Sequence, residues 1–538
     1  TPTMTLKNVS IINTSAVNNG GGMYCIDSSA PELTNVTITG NSASNKGGGI
    51  YLFWSMNPSL LNSIIWNNSP ENIYSVENTV PNIITVSYSD IGEGQDSIAT
   101  EGTTTINWGS GNIDVDPMFA DTANGNYDLL ASSNLINAGH PDSTDSDGSR
   151  ADIGAFPYLN TYSGPTWYVS TSGSDTSGTG AAGNAFSSIQ AGINFSSSGD
   201  SVTVAAGTYT ENINFKGRNI KVVGADRGST IIDGDSSGSV VTFANGEDET
   251  ASLSGFTITN GTGLISGPGG YMRGGGITVD YNCNPTLTNM IITGNTALGS
   301  SGEGGGISLR GNSLLENLIV SNNHASEAGG VCIQSSGVTL KNSQIYNNVC
   351  EGGQAAGLSI GSGAENITLI NVLISDNTDL QSSVAGGLAV NTPGIVNIIN
   401  STITGNVGEQ GVFVEGGANL NVTNSIIFDN NGSEIVFRPA VGVSPHSYAT
   451  INHSIIEDGL DSIVTNDNGT VTWGAGNIDV DPMFVDTANG DYSLQRISHL
   501  IDRGHPDSTD LDGTRADIGA YYFDQSDLPG RINPRTFI

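Results

Sequence analysis

One short motif recurs along the chain and constrains its fold more than any other feature. The motif reads apolar-x-Asn-x-x-Ile-x-x-Asn, and it occurs at residues 33–41, 287–295, 340–348, 369–377, 399–406 and 422–430. Its first asparagine falls at positions 8, 35 and 62, and again at 289, 317, 342, 371, 400 and 424. The intervals are therefore similar throughout, the shortest from 400 to 424 and the longest from 342 to 371 and from 371 to 400. Such a period holds one small supersecondary unit, and stacked units of this kind form a solenoid.

The residues inside each repeat predict strands rather than helices. Apolar and small polar residues alternate, as around Val36, Ile38 and Ile403, and β-branched residues dominate. Glycine triplets at 20–22, 47–49, 274–276 and 304–306 supply the backbone freedom that sharp corners need. Three short strands fill about 25 residues, and each coil can hydrogen-bond to the next at about 4.8 Å. We therefore expect an all-β, parallel β-solenoid in which asparagines form left-handed turns and a side-chain ladder.

A second, larger repeat shows that a whole module is duplicated. Residues 108–155 recur as residues 473–520 without a gap, at an offset of 473 − 108 = 365, and 36 of the 48 positions are identical. Fewer residues precede the first copy than precede the second. We expect one partial and one complete module in tandem.

Charge and composition exclude several classes of function. Lys and Arg number 16 against 52 Asp and Glu, which gives a net charge of −36 and excludes a general nucleic-acid binder. Hydrophobic residues make up 36% of the chain, which is enough for a core. No run approaches the roughly 20 apolar residues that cross a bilayer, so this sequence is not expected to span a membrane.

The coils resemble the right-handed parallel β-helix of the pectate-lyase-like superfamily. Residues 167–234, with WYVSTSGSD and AFSSIQAGINF, resemble the opening of such helices. That resemblance implies a short cap helix from Ile189 to Phe195 and a first coil from Ser201 to Val204. The segments ending at Ala155 and Ala520 resemble the closing region of secreted bacterial β-helix proteins, the choice-of-anchor domain of type Q. This scaffold hosts lyases, hydrolases, adhesins and structural proteins. The resemblance therefore implies the fold and the cellular location better than it implies the chemistry.

These patterns predict six segments along the chain. They are coils of a first β-helix (1–107), its closing segment (108–156), a linker (157–165), a second β-helix with its cap helix (166–472), a second closing segment (473–523) and a tail (524–538). The cap helix and the closing segments are expected to cover the open ends, because an uncovered coil pairs with other strands. Since residue 1 starts uncapped, we expect a longer parent protein or copies joined end to end as a filament.

Few residues offer catalytic chemistry. A polysaccharide lyase of this fold needs a base beside a carboxylate, with cations or Ca²⁺ to stabilise the intermediate. The weak candidates in the second copy are Tyr271, Arg273, Arg310, His324 and Lys341. Arg273, Arg310 and Lys341 fall in successive coils at similar phases, with His324 between them, and could line one face. The alternative is scattered solvent-facing cations. The motif set of β-helix galacturonases does not occur, which weighs against glycoside hydrolysis.

An acidic loop occurs in both copies and is the stronger signal. Its carboxylates are Asp142, Asp145, Asp147 and Asp152 in the first copy, and Asp507, Asp510, Asp512 and Asp517 in the second. Oxygen ligands at alternate positions before a glycine are what Ca²⁺ prefers, so a calcium site is one interpretation of these loops. The pattern departs from an EF-type loop at its first and twelfth positions. The alternative is a loop whose aspartates cap backbone N–H groups.

The sequence favours a secreted or cell-surface, modular β-helix protein with a structural or adhesive role. Repeated modules add length and multivalency, whereas an enzyme needs a single good site. Its expected partners are a polysaccharide or further copies of itself, and no cofactor other than Ca²⁺ is expected. The alternative is a polysaccharide lyase acting on an acidic glycan, which the charge of −36 disfavours. Ice or mineral binding ranks lower, because no regular Thr-x-Thr ladder persists.

Overall fold

A computed structural model describes residues 4–26, 30–54, 56–76, 80–266, 271–299, 301–381, 384–439 and 445–526. The chain forms two compact units, Thr1–Ser196 and Ser197–Ile538, here called the first and second units. The solenoid of each unit is a right-handed parallel β-helix, which confirms the predicted fold. Among the described residues, no helix combines the length and apolarity that a bilayer span requires.

The first unit stacks its coils at the spacing that the motif predicts. Leu6 pairs with Leu33, and Val9 pairs with Val36, so paired residues are one motif interval apart. Its long sheet comprises Thr5–Ile12, Glu32–Thr39, Ser59–Leu61, Ile64–Trp66, Asn82–Ser87, Asp90–Ile91 and Thr104–Trp108. Its second sheet comprises Met23–Ile26, Ile50–Phe53, Ile73–Val76 and Ile98–Glu101, and Ser15–Ala16 pairs with Ser42–Ala43. Like residues therefore stack on like residues, and their side chains fill the interior.

The second unit repeats this arrangement over more coils. Its long sheet runs through Ser201–Val204, Gly207–Thr210, Lys221–Gly224, Thr230–Asp233, Ser252–Ser254, Thr257–Thr259, Thr286–Thr293, Leu314–Ser321, Thr339–Tyr346, Ile367–Ser375, Ile395–Ile399, Thr402–Thr404, Asn419–Thr423, Ile426–Phe428, Ser447–Asn452, Ile455–Ile456 and Gly469–Trp473. Its second sheet comprises Ile213–Asn214, Val241–Phe243, Ile277–Val279, Ile307–Leu309, Val331–Ile333, Leu358–Ile360, Ala385–Asn391, Gln410–Glu415, Ser433–Phe437 and Ile463–Val464. A short sheet comprises Thr296–Ala297, His324–Ala325, Val349–Cys350 and Thr378–Asp379.

The motif asparagines form two ladders, which confirms the predicted stacking. The first asparagine of each motif has a positive φ, such as 52° at Asn35, and in several coils its amide donates to the asparagine of the coil before, as from Asn35 Nδ2 to Asn8 Oδ1 at 3.1 Å. The second asparagine is buried. The buried ladder links Asn295, Asn323, Asn348, Asn377, Asn406 and Asn430 through amide hydrogen bonds of 2.8–3.0 Å. A buried amide without a partner costs about 1–3 kcal/mol, so each rung depends on its neighbours.

Each closing segment begins with a small antiparallel hairpin. The hairpins pair Phe119–Asp121 with Asn126–Leu129 and Phe484–Asp486 with Asp491–Leu494. Another antiparallel hairpin, Leu264–Ser266 with Tyr271–Arg273, projects from the second unit. The short 3-10 helices are Gln95–Ser97, Thr122–Asn124, Gly459–Ser462 and Thr487–Asn489.

The predicted cap helix and first coil are present. The helix spans Ile189–Phe195, where Ser188 Oγ accepts from Ala191 N at 3.3 Å, and the strand Ser201–Val204 follows. Asn194 Nδ2 donates to the backbone oxygens of Ala131 and Ser133 at 3.0 and 2.8 Å. The helix and the strand Thr166–Val169 fall within the residue range of the first compact unit.

The closing segments run back along the sides of their own solenoids. In the first unit, Ala155 N donates to Thr37 Oγ1 at 2.9 Å, and in the second, Ala520 N donates to Thr402 Oγ1 at 3.0 Å. The two bonds join equivalent positions of the two modules. These contacts place the closing segments against the corner of the long sheet.

Candidate functional site

Small side chains form an in-register row on the outward face of the second unit's second sheet. The row is Thr278, Ser308, Cys332 and Ser359, and each residue pairs with the next. All four are buried even though they alternate with the inward-facing residues of their strands. Longer side chains from the flanking turns must therefore lie over them. We call this region the sheet-face cluster.

An ion pair crosses the sheet-face cluster. Arg310 follows the strand Ile307–Leu309, and Glu303 precedes it, so the pair spans the outward-facing Ser308. Arg310 Nη2 lies 3.0 Å from Glu303 Oε2, and the two side chains are only 10% and 12% exposed. Arg310 Nη1 donates to Tyr281 Oη at 3.0 Å, and the guanidinium carbon lies 5.2 Å from the centroid of that ring. Arg310 Nε is buried and has no hydrogen-bond partner among the described residues.

Arg273 joins the cluster from the preceding coil. It forms a parallel bridge with Glu303, which forms another with Ala328 in the next coil. Burial lowers the pKa of Arg273, and the positive charge of Arg310 lowers it further, while Glu303 acts in the opposite direction. The Tyr271 side chain lies outside the described residues. The structure thus brings together two of the five predicted candidates.

His324 and Lys341 lie on other sheets, so the four candidates do not line one face. His324 belongs to the short sheet, and its Nε2 lies 3.5 Å from Glu351 Oε1. Lys341 belongs to the long sheet, where it is in register with Glu316 and lies 3.1 Å from its carboxylate. Sequence spacing alone did not separate the sheets to which these residues belong, because the turns between the sheets vary in length from coil to coil.

Sequence reasoning missed Glu303 and Tyr281, although a signal for Glu303 existed. Glu303 and Arg273 both directly precede a glycine triplet, and so does Lys46 in the first unit. That position borders the second sheet in both units. In the first unit Lys46 Nζ lies 3.0 Å from Glu101 Oε2 and 4.4 Å from the centroid of the Tyr74 ring. The residue before each triplet therefore indicates which charges reach this face.

Cys332 lies beneath the ion pair, in surroundings that disfavour its thiolate. Burial raises the pKa of its thiol well above the usual range, and the carboxylates of Glu303 and Glu327 raise it further. A thiol is reactive as the thiolate, which this environment disfavours. The chemistry of the cluster therefore rests on its charged and aromatic groups.

The aspartates of the acidic loops accept hydrogen bonds from nearby backbone N–H groups. In the first loop Asp147 Oδ1 accepts from Ser149 N at 3.0 Å, and Asp147 Oδ2 accepts from Asn160 N at 2.8 Å. Asp152 is buried, and its two oxygens accept from the backbone nitrogens of Asn137 and Tyr158 at 2.6 and 2.7 Å. These bonds match the alternative in which aspartates cap backbone N–H groups.

The second loop has the same bonds. Asp512 Oδ1 accepts from Thr514 N at 2.9 Å, and Asp517 accepts from the backbone nitrogens of Asp502 and Phe523 at 2.6 and 2.7 Å. Burial raises the pKa of Asp152 to about 8 and that of Asp510 to about 6. Asp142 and Asp507 are exposed and lie 3.9 Å from the ring nitrogens of His140 and His505.

Calcium binding by these loops stays a prediction. Within the described ranges, no three His, Cys, Asp or Glu side chains are grouped so that they could hold a metal ion. Calcium bound in the loops would stabilise the folded modules, so a chelator would lower the melting temperature. An unchanged melting temperature after chelation would contradict the site.

Comparisons with known proteins find likeness in solved structures alone. No family model matches the chain, and no curated protein matches it. The crystal structure of pectate lyase Pel9A is 18% identical, covers 66% of this chain and 96% of its own, and has a TM-score of 0.39. The A-module of the Azotobacter vinelandii mannuronan C-5 epimerase AlgE4 is 19% identical, with coverages of 53% and 86% and a TM-score of 0.32.

A pectin methylesterase from carrot is a further match. It is 14% identical, covers 59% of this chain and 91% of its own, and has a TM-score of 0.32. Likeness at these identities and TM-scores says nothing about the activity of this chain.

Proposed function

We propose that the chain is a secreted or cell-surface, modular β-helix protein with a structural or adhesive role, which contacts carbohydrate without cleaving it. The observation that carries this proposal is the repeated attachment of the closing segment. His140 N donates to Asn62 Oδ1 at 2.7 Å, and His505 N donates to Asn424 Oδ1 at 2.6 Å. The duplicated module thus includes its own attachment, as expected for a unit that is added to an array for length and multivalency.

The sheet-face cluster supports contact with carbohydrate. Tyr281 is 58% exposed, and Arg310 Nη1 donates a hydrogen bond to its hydroxyl oxygen. An exposed aromatic ring beside fixed polar groups offers an apolar surface to the C–H face of a sugar and hydrogen-bonding groups to its hydroxyls. Because Glu303 neutralises Arg310, this ion pair is suited to hydroxyl groups more than to a uronate carboxylate.

Native gel electrophoresis through immobilised polysaccharides tests this proposal. The panel comprises pectin, polygalacturonate, alginate, galactan and xylan, and at least one of them should slow the wild-type chain. The Tyr281→Ala variant should lose that retardation. Tyr448→Ala is the matched control, since Tyr448 is 48% exposed on the long sheet of the same unit. Equal migration of the wild type in every gel would contradict the proposal, as would retardation that Tyr281→Ala leaves unchanged.

A polysaccharide lyase is the second candidate, and the meeting of Arg273 with Arg310 favours it. Two cations beside a tyrosine hydroxyl offer charge stabilisation and a proton-transfer group. Against it, both terminal nitrogens of Arg310 already bind Glu303 and Tyr281. This candidate predicts unsaturated product from a uronate polysaccharide, and it is contradicted if no such product forms.

A further inference from the structure

A cavity of about 400 Å³ lies between the closing segment of the second unit and the corner of its long sheet. Three successive motif asparagines, Asn342, Asn371 and Asn400, form one wall, and Asp510, Tyr521 and Tyr522 of the closing segment form the other. We call this cavity the Asn–Tyr pocket. Its volume falls within the roughly 300–1,000 Å³ of small-molecule sites. It is separate from the sheet-face cluster, because its solenoid wall belongs to the long sheet.

The exposed asparagine ladder is interrupted inside this pocket. Asn371 Nδ2 donates to Asn342 Oδ1 at 2.9 Å, and Asn424 Nδ2 donates to Asn400 Oδ1 at 3.0 Å. Between these rungs, Asn400 Nδ2 and Asn371 Oδ1 form no hydrogen bond with each other or with any other described residue. One amide donor and one carbonyl acceptor are therefore available to a ligand.

The facing wall adds a carboxylate oxygen and aromatic surface. Asp510 Oδ2 accepts from Asp517 N at 2.8 Å, while Asp510 Oδ1 has no hydrogen-bond partner among the described residues. Tyr522 is 38% exposed and Leu511 is 77% exposed, so apolar surface stays uncovered at the rim. Tyr521 is more enclosed, and burial raises the pKa of its hydroxyl to about 12.

We propose that the Asn–Tyr pocket binds one pyranose unit of a neutral saccharide. A pyranose presents hydroxyls that both donate and accept, together with an apolar C–H face, and the pocket offers a donor, two acceptors and tyrosine rings. The carboxylates of Asp510 and Asp517 repel the acid group of a uronate. The pocket therefore discriminates against the anionic sugars that a pectate lyase would bind.

The first unit provides an internal comparison. At the positions equivalent to Leu511, Tyr521 and Tyr522 in the duplicated module, it has Ser146, Phe156 and Pro157. Its asparagine ladder is also continuous, since Asn62 donates to Asn35, and Asn35 donates to Asn8. The second unit thus has both the apolar rim and the available amide groups. In the first unit the rim residues differ and the amide groups are paired in the ladder.

Isothermal titration of the full chain with cellotetraose, galactotetraose, xylotetraose, mannotetraose and trigalacturonate tests the proposal. At least one neutral tetrasaccharide should bind more tightly than trigalacturonate. Asp510→Asn and Tyr522→Ala should each weaken that binding about tenfold, equivalent to about 1.4 kcal/mol, while Asp145→Asn in the first unit should not change it. Circular dichroism melting curves verify that each variant is folded.

Three results would overturn the proposal. They are the absence of binding by every neutral tetrasaccharide, tighter binding of trigalacturonate, and binding that both pocket variants leave unchanged. The proposed function is separable from this inference. Loss of binding in Tyr281→Ala with full binding in Tyr522→Ala would place the sugar on the sheet-face cluster, which contradicts the pocket and leaves the proposed function standing.

Discussion

The two closing segments are nearly the same in sequence, and they attach to their solenoids through the same positions but different partners. Tyr127 Oη accepts from Asn13 Nδ2 at 2.8 Å in the first unit. Its counterpart Tyr492 Oη donates to the carboxylate of Asp376 at 2.9 Å in the second. The tyrosine is kept while its partner changes from amide to carboxylate. Backbone bonds and a few polar groups therefore define the attachment, and the solenoid beneath can vary.

A second difference lies where each solenoid meets its closing segment, at one equivalent pair of positions. Asp90 in the first unit bridges to Ile113, and at the equivalent positions of the second unit Ile455 bridges to Ile478. Asp90 is fully buried, and its Oδ1 accepts from Val115 N at 3.1 Å. Asp90 Oδ2 is buried and has no hydrogen-bond partner among the described residues. Ile455 instead packs with apolar residues such as Leu500. The first unit thus buries a carboxyl group that destabilises it, where the second unit buries an isoleucine side chain.

The largest expected effect comes from truncating the leucine that both closing segments bury. Leu135 and Leu500 are equivalent and fully buried, each in an apolar cluster with its solenoid. Leu135→Ala and Leu500→Ala should each lower the free energy of unfolding of their own unit by about 2–5 kcal/mol. Hydrogen exchange measured by mass spectrometry resolves the two units. Faster exchange in only the closing segment, with the solenoid coils unchanged, would contradict a stabilising role for the attachment.

The next effect distinguishes the two units by pH. Burial raises the pKa of Asp90 from 3.8 to about 8, so the folded first unit holds this proton. The contribution of Asp90 to the stability of this unit is therefore greatest below about pH 4 and is lost as the pH rises towards about 8. Asp90→Ile should therefore stabilise the first unit by on the order of 3 kcal/mol near pH 8 and by much less near pH 4. Tryptophan fluorescence in urea follows this unit, since four of the five tryptophans, Trp54, Trp66, Trp108 and Trp167, lie in it.

The reciprocal variant is the control. Ile455→Asp should destabilise the second unit, and the loss should grow with pH over the same range, as monitored by the fluorescence of Trp473. A gain from Asp90→Ile that is the same at both pH values would show that the Asp90 carboxyl is not protonated in the folded unit.

The smallest effect tests the interruption of the asparagine ladder. Asn35 and Asn400 are equivalent, with φ values of 52° and 46°, so glycine fits both positions without strain. Asn35 takes part in two ladder bonds and Asn400 in one. Asn35→Gly should therefore cost its unit about 1 kcal/mol more than Asn400→Gly costs the other, by hydrogen exchange. An equal cost would contradict the claim that the Asn400 amide in the Asn–Tyr pocket is free to bind a ligand.

Much of the fold could be predicted because the repeat is local. Each coil requires an asparagine at a left-handed corner and apolar residues at alternate positions, so stacking follows from spacing alone. The cap helix was also predictable, since Ser188 precedes an amphipathic run. The hydrogen bonds from Asn194 to the carbonyl oxygens of Ala131 and Ser133 were not predictable, because these residues are distant in sequence.

The site was harder to predict than the fold. Arg273 and Arg310 lie in one cluster, whereas Lys341 and His324 lie on other sheets. Sequence spacing could not show this, because turn lengths hide the sheet to which a residue belongs. Glu303 was missed, although it is the carboxylate that pairs with Arg310. Counting from the glycine triplets rather than from the asparagines would have found it.

Turnover of a bound polysaccharide tests the central claim most directly. The wild-type chain is incubated with whichever polysaccharide slows it in native gels, and reducing ends and the absorbance of unsaturated uronates are followed with and without Ca²⁺. We expect the wild-type chain to bind the polysaccharide and to release no reducing ends or unsaturated uronates above the buffer blank. Product that forms with the wild type and disappears with Arg310→Ala would contradict this expectation and establish the sheet-face cluster as a lyase centre.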